Sequence, residues 1–141
     1  MKIWLYPLIF CGLLLSFTGN AEQKKTLGNW DVHYMVLTST FLTPDVARSY
    51  GIQRSKYNAV VNVSVLDKNT TKAQNLLVSG KATNLIGTSK KLEFKEVIEG
   101  ESIYYIATLS FRDQEQYRFE IDLNQGTERQ TLKFSQKLYS E

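Results

Sequence analysis

Trp30-Asp-Val-His-Tyr-Met-Val-Leu37 decides the fold. Trp30, Val32, Tyr34 and Val36 fall on one side of it, and Asp31, His33, Met35 and Leu37 on the other. Period-two alternation of aromatic and β-branched residues predicts a strand with one buried face. Met35 and Leu37 make the second face partly apolar, so partial cover is expected there too. The rhythm recurs downstream. Lys56–Leu66 places Tyr57, Ala59, Val61, Val63 and Val65 on one face, and Gln116–Leu123 alternates Tyr117, Phe119, Ile121 and Leu123 with polar residues. Further strands are predicted at about 73–84, with Gly80 as a bulge, and at 92–99, 102–110 and 130–139. Asp67–Thr71 reads as a turn, and Glu99-Gly100-Glu101 and Asn124-Gln125-Gly126 as hairpin turns. Seven strands with short connections pair antiparallel. The expectation is a mainly β chain folded as an immunoglobulin-like antiparallel β-sandwich. A small closed β-barrel is the alternative.

One short helix interrupts this pattern, between the first two strands. In Ser39–Arg54, the Thr43 hydroxyl suits an N-cap, and Pro44 suits the first helical position. Asp45 complements the positive end of the helix dipole, and Gly51 suits the left-handed residue past the end. The helix is predicted at about 44–50. Two turns cannot stand alone in water, so tertiary contacts must hold them. Phe41, Leu42, Val46 and Tyr50 are the candidate anchors.

Residues 1–21 read as a secretory signal. Lys2 is followed by the apolar run Trp4–Phe17 and by small residues at Gly19 and Ala21. Cleavage is expected after Ala21, and a retained anchor is the competing reading. The run is shorter than the roughly 20 residues that span a bilayer. Cys11 follows bulky Phe10, which does not fit a lipoprotein acylation site, and it is the one cysteine of the chain. The exported chain is then expected to hold no disulfide and no thiolate ligand. Residues 22–28 read as a flexible polar tail, and 29–141 as a single domain. Without Lys2 the chain has 16 basic and 14 acidic residues. They are interspersed rather than gathered into the basic stripe of a nucleic-acid binder, so nucleic acid is not expected as a partner.

Few residues offer chemistry. His33 is the only histidine, and it shares a strand face with Met35. That pairing hints at a soft metal site. With no second histidine and no cysteine after Ala21, a hydrogen-bonded strand histidine is the better reading, and no metal or cofactor is expected. No Gly-x-Ser-x-Gly elbow and no phosphate loop occur, so no catalytic residue is assigned. Asn69-Thr70-Thr71 matches a glycosylation sequon but reads more simply as a turn. Tyr104 and Tyr105 point to opposite faces of one strand. Arg54 could receive a carboxylate or phosphate. The competing reading is an internal ion pair to Asp45 or Asp31 that ties the helix down.

Several blocks resemble the domain of unknown function family 4426, small exported proteins of Gram-negative proteobacteria. They are Asn29–Tyr34, Ser39–Ala47, Tyr50–Lys56 and Asn62–Leu66, with Ile103–Ile106, Tyr117–Ile121 and Phe134–Tyr139 behind them. The resemblance implies a compartment and a fold but no catalytic residues. The expected function is that of an exported, periplasmic, non-catalytic binding or accessory protein. Its contact surface is expected from His33, Tyr34, Phe41, Leu42, Pro44, Tyr50 and Arg54. The expected partner is a periplasmic protein or small ligand, with no stable membrane insertion after cleavage. Two alternatives are an envelope-assembly protein acting through a strand edge and a metal-binding or hydrolytic protein dependent on His33.

Overall fold

The computed structural model describes residues 22–140. The expected signal segment, Cys11 and cleavage after Ala21 lie outside the described residues. Among the described residues nine strands form: β1 Gln23–Leu27, β2 Trp30–Thr38, β3 Asn58–Asp67, β4 Leu77–Asn84, β5 Ser89–Glu93, β6 Lys95–Glu99, β7 Ser102–Ser110, β8 Glu115–Gln125 and β9 Glu128–Leu138. Helix α1, Pro44–Ser49, follows a short 3-10 turn at Ser39–Phe41. The strands make two antiparallel sheets, one ordered β1-β2-β3-β7-β6 and the other β5-β4-β8-β9. The fold is the expected β-sandwich, and no barrel closes.

The alternating residues of β2 and β3 build the core. Trp30, Val32, Tyr34 and Val36 are buried with Ala59, Val61, Val63 and Val65. They meet Tyr117, Phe119, Ile121, Leu123 and Leu132 of the second sheet. Tyr34 lies 4.5 Å from Phe134 between ring centroids, and Phe134 stacks on Phe119 at 4.7 Å. Tyr105 carries its hydroxyl into this interior. The hydroxyl accepts from the Leu76 N–H at 2.7 Å and donates to Glu96 at 2.9 Å. Burial first, and then the Glu96 carboxylate, push its pKa up to about 12 against the opposing pull of the Leu76 N–H.

The structure corrects four expectations. The polar segment after residue 22 is not a loose tail. It is edge strand β1, paired from Gln23 opposite Tyr34 to Leu27 opposite Trp30. Its side chains are mostly exposed, so it is held mainly by backbone hydrogen bonds that composition does not reveal. Gly80 makes no bulge. The ladder runs regularly through it, and a Cβ there would come 2.7 Å from the Glu120 carbonyl. Close backbone approach is therefore what requires glycine at that position. The expected strand at 92–99 breaks at Phe94: β5 pairs with β4, and β6 pairs with β7 in the other sheet. One run of chain thus stitches the two layers along one side. Tyr57 lies outside β3 and is exposed.

Strand direction gives the sandwich two distinct ends. Thr38, Asn58 and Ser110 of one sheet, and Asn84, Ser89, Glu115 and Leu138 of the other, share the end that carries α1. Two contacts join the layers there. Thr38 donates to the Tyr139 carbonyl at 3.3 Å, and Lys90 Nζ donates to the Ser110 carbonyl at 2.6 Å.

Candidate functional site

Helix α1 forms as its sequence demands. The Thr43 hydroxyl accepts from the Val46 N–H at 3.2 Å, Pro44 occupies the first turn, and Gly51 takes φ +68° past the end. No neighbouring atom lies within 4 Å of a Cβ built at Gly51, so its backbone angle alone favours glycine. The expected helix reaches Tyr50; in the structure Tyr50 is the C-cap.

The helix lies on the outer face of the five-stranded sheet. Ala47, Ile52 and Val60 are buried together, with Leu37, Leu42, Tyr50 and Ile106 packed around them. This small second core covers Leu37 at the end of β2. Ser39, fully buried, fastens the segment from below. Its hydroxyl lies 3.0 Å from the Gln53 carbonyl and 2.9 Å from that of Ser55, and it accepts from the Ser55 N–H at 2.8 Å.

Arg54 is a tether of a different kind from the expected ion pair. Its Nε donates to the Leu42 carbonyl at 2.7 Å, and Nη2 donates to the Thr40 carbonyl at 3.1 Å. The expected acidic partners are engaged elsewhere. Asp45 pairs with Arg48 one turn along the helix, and Asp31 accepts from Thr26 at 2.7 Å. The guanidinium ties the entry of the segment to its exit through backbone oxygens, which pattern reading does not place.

The seven expected contact residues do not form one surface. Tyr34 belongs to the interior: it is buried on the inner face, and its hydroxyl donates to Gln23 at 3.1 Å. Burial holds its pKa above the usual tyrosine value. His33 sits on the outer face between Lys24 of β1 and Ser64 of β3, with Nδ1 3.3 Å from Glu22. It lies four residues along β2 from Leu37, where the helix packs. Among the described residues, no three or more histidine, cysteine, aspartate or glutamate side chains gather as a metal site. Phe41, Leu42, Pro44, Tyr50 and Arg54 do share the helix segment; Leu42 and Tyr50 pack inward, and the other three are exposed.

A cleft of about 150 Å³ opens beside the C-terminal end of α1. Tyr50, Gly51 and Ile52 form one wall, Glu93, Lys95 and Val97 the other, and Ile106 and Thr108 lie between. It lies against β6 and β7, not against the first strand. Tyr50 marks the cleft's edge: its hydroxyl donates to Glu99 at 2.9 Å, joining the helix segment to β6. Burial, and then the Glu99 carboxylate, raise its pKa, so this proton stays in place as a donor. Beside the cleft, Asn62 pairs in register with Ile106, and its Oδ1 is buried without a hydrogen-bond partner among the described atoms. Lys95, Val97 and Glu99 share one face of β6, and Ile106 and Thr108 one face of β7. Which part of those faces the helix approaches depends on long-range packing. A shallower depression at the opposite end is lined by turn residues such as Asn75 and Gln125, which already bond to each other there.

Solved structures with the same architecture are available for comparison. A protein of the DUF4426 family from Pseudomonas aeruginosa PAO1 is 35% identical, with a TM-score of 0.75 over 85% of this chain and 96% of its own. FetP of uropathogenic Escherichia coli strain F11 is similar at lower identity. Its copper-bound variant is 12% identical, with a TM-score of 0.61 over 86% of this chain and 92% of its own. The same protein as isolated is 10% identical, with a TM-score of 0.63 over 89% and 99%. At such identity the likeness to FetP is one of fold. No curated protein matches the chain. The model of the domain of unknown function DUF4426 matches residues 24–141, nearly the whole of the described chain, and the protein belongs to that family.

Proposed function

We propose that this protein is an exported, periplasmic, non-catalytic binding module, and that its ligand contacts the cleft between α1 and β6–β7. The observation that carries the reading is the cleft itself, which pairs an apolar lining of Ile52, Val97 and Ile106 with a polar rim of Tyr50 and Lys95. Such pairing of apolar surface with a few placed polar groups is how small binding sites gain both affinity and orientation. Its size fits a compact ligand or a single side chain of a partner. Export is supported by the apolar Trp4–Phe17 run and its small-residue flank. No helix among the described residues is long and apolar enough to cross a membrane.

The strand-edge alternative is less well supported. All four edge strands carry lysine: Lys24 and Lys25 on β1, Lys95 on β6, Lys90 and Lys91 on β5, and Lys133 and Lys137 on β9. Edge lysines are a common device against strand addition. The copper of the FetP variant belongs to that protein; here the only histidine faces Glu22, away from the cleft.

A photo-crosslinking residue at Lys95, set against one at Asp122 on the other sheet, tests the proposal in cells. The reading predicts a discrete adduct from position 95 that Tyr50→Ala removes. Identical patterns from both positions would end it.

A further inference from the structure

We infer that the α1 end of the sandwich rests on an anionic phospholipid surface, with Leu85 and Ile86 as its inserting side chains. These two residues form the tip of the β4–β5 turn and are 77% and 87% exposed. Tight turns normally place small or polar residues at such positions. The turn is also firmly built. Buried Asn84 accepts from the Thr88 N–H at 2.8 Å and donates to Glu115 at 3.0 Å, while Gly87 closes the backbone at φ +89°. The two apolar tips are therefore held outward by a fixed base.

Two aromatic side chains share this end. Tyr57 and Tyr139 are about half exposed, with Lys56 and Lys137 over their rings at 5.3 and 5.8 Å. Tyrosine and lysine together suit the headgroup layer, where a ring can lie shallow and an ammonium can reach phosphate. Charge follows the same axis. Lys56, Arg112 and Lys137 lie exposed at this end against the acids Asp113 and Glu115, while Asp45 and Arg48 of α1 pair with each other. At the opposite end Asp31, Asp67, Glu99, Glu101 and Glu128 outnumber Lys68, Lys72 and Arg129. An anionic surface would attract the first end and repel the second.

Strand β1 begins at Gln23 opposite Tyr34 and ends at Leu27 opposite Trp30. Glu22, the first described residue, thus precedes β1 on the side toward Thr38. The occupant is identified by this combination of inserting tips, interfacial tyrosines and cations, which matches a lipid surface better than a closed apolar groove. The inference does not rest on the cleft, which lies on the sheet's outer face.

The test uses residues 22–141, since the nine described strands and both cores lie within residues 22–140. Co-sedimentation with vesicles containing phosphatidylglycerol is compared with phosphatidylcholine vesicles, at low and high salt. The expected result is binding to the anionic vesicles only, weakened by salt, and lowered about tenfold or more by Leu85→Ser with Ile86→Ser. Both positions are surface tips, so the double variant should keep the wild-type circular dichroism spectrum and melting temperature. Failure of the wild-type protein to bind overturns the inference, as does unchanged binding by the folded double variant. So does a wild-type dimer that the double variant converts to monomer, because a second copy would then occupy this end. Tyr50→Ala should leave vesicle binding intact, which separates failure here from failure of the cleft reading.

Discussion

The two faces of the five-stranded sheet are built on different principles. The inner face meets a second sheet, and its alternating residues enter a continuous core of aromatic and β-branched side chains. The outer face meets a six-residue helix and a few anchors, and its apolar core is only Ala47, Ile52 and Val60. Global stability belongs to the first face. The second is held by local devices: the Thr43 cap, the Ser39 hydroxyl, the Arg54 fork and the Tyr50–Glu99 bond. A layer fastened in this way can shift without unfolding the sandwich, and regions that respond to ligands are drawn from such low-stability elements.

Substitutions can break this contrast or sharpen it. Phe119→Ala removes a buried ring stacked on Phe134 and should cost about 3–5 kcal/mol, read as a lower midpoint of urea unfolding. Ile52→Ala should cost about 2 kcal/mol, at the lower end of large-to-small core losses, because the site is small and near the surface. Its effect should show first as faster hydrogen exchange in α1. Equal loss of protection in β8 would merge the two layers into one unit.

Thr43→Ala should cost about 1 kcal/mol, confined to the helix, since only the cap is lost. Asn62→Val probes the outer face from the other direction. The variant removes a buried carbonyl oxygen that has no partner and supplies a good strand former. It should raise stability by about 1 kcal/mol in calorimetry. A comparable loss would mean that the amide is satisfied in solution.

The smallest effect is a pH dependence. Burial alone would raise the Glu115 pKa, but the Arg112 N–H, the Asn84 amide and the Tyr117 hydroxyl together hold it below the usual value. A carboxyl lowered on folding stabilises the protein above its unfolded pKa, and that contribution is lost as pH falls through the folded value. Glu115→Gln should therefore lower stability at neutral pH and flatten the acid limb of melting temperature against pH.

The parts of the fold that obey local rules were legible in the sequence. Thr43, Pro44 and Gly51 bounded the helix because capping depends on near neighbours. Tyr34 shares the phase of Trp30 and Val32, so alternation itself placed it inside, and its inclusion among contact residues conflicted with that pattern. Strand β1 was hidden because an edge strand without a buried face looks like a polar tail. The break at Phe94 showed only as a loss of phase, with Leu92 and Phe94 followed by Lys95-Glu96 and then Val97-Ile98, and such a slip does not by itself say that the chain changes sheets. The cleft was out of reach for a related reason. Lys95 and Ile106 are partners in one ladder, but only the packing of a distant helix brings Tyr50 and Ile52 to them.

Native-state hydrogen exchange across a denaturant series tests most directly whether the outer layer is a separable unit. The amides of Tyr50 and Ile52, bonded to Val46 and Ala47, report on the helix segment, and that of Ile121 reports on the sandwich core. The account predicts that the first two exchange through a local opening, with a free energy several kcal/mol below that of Ile121 and little denaturant dependence. Exchange of all three with the same free energy and the same slope would contradict it.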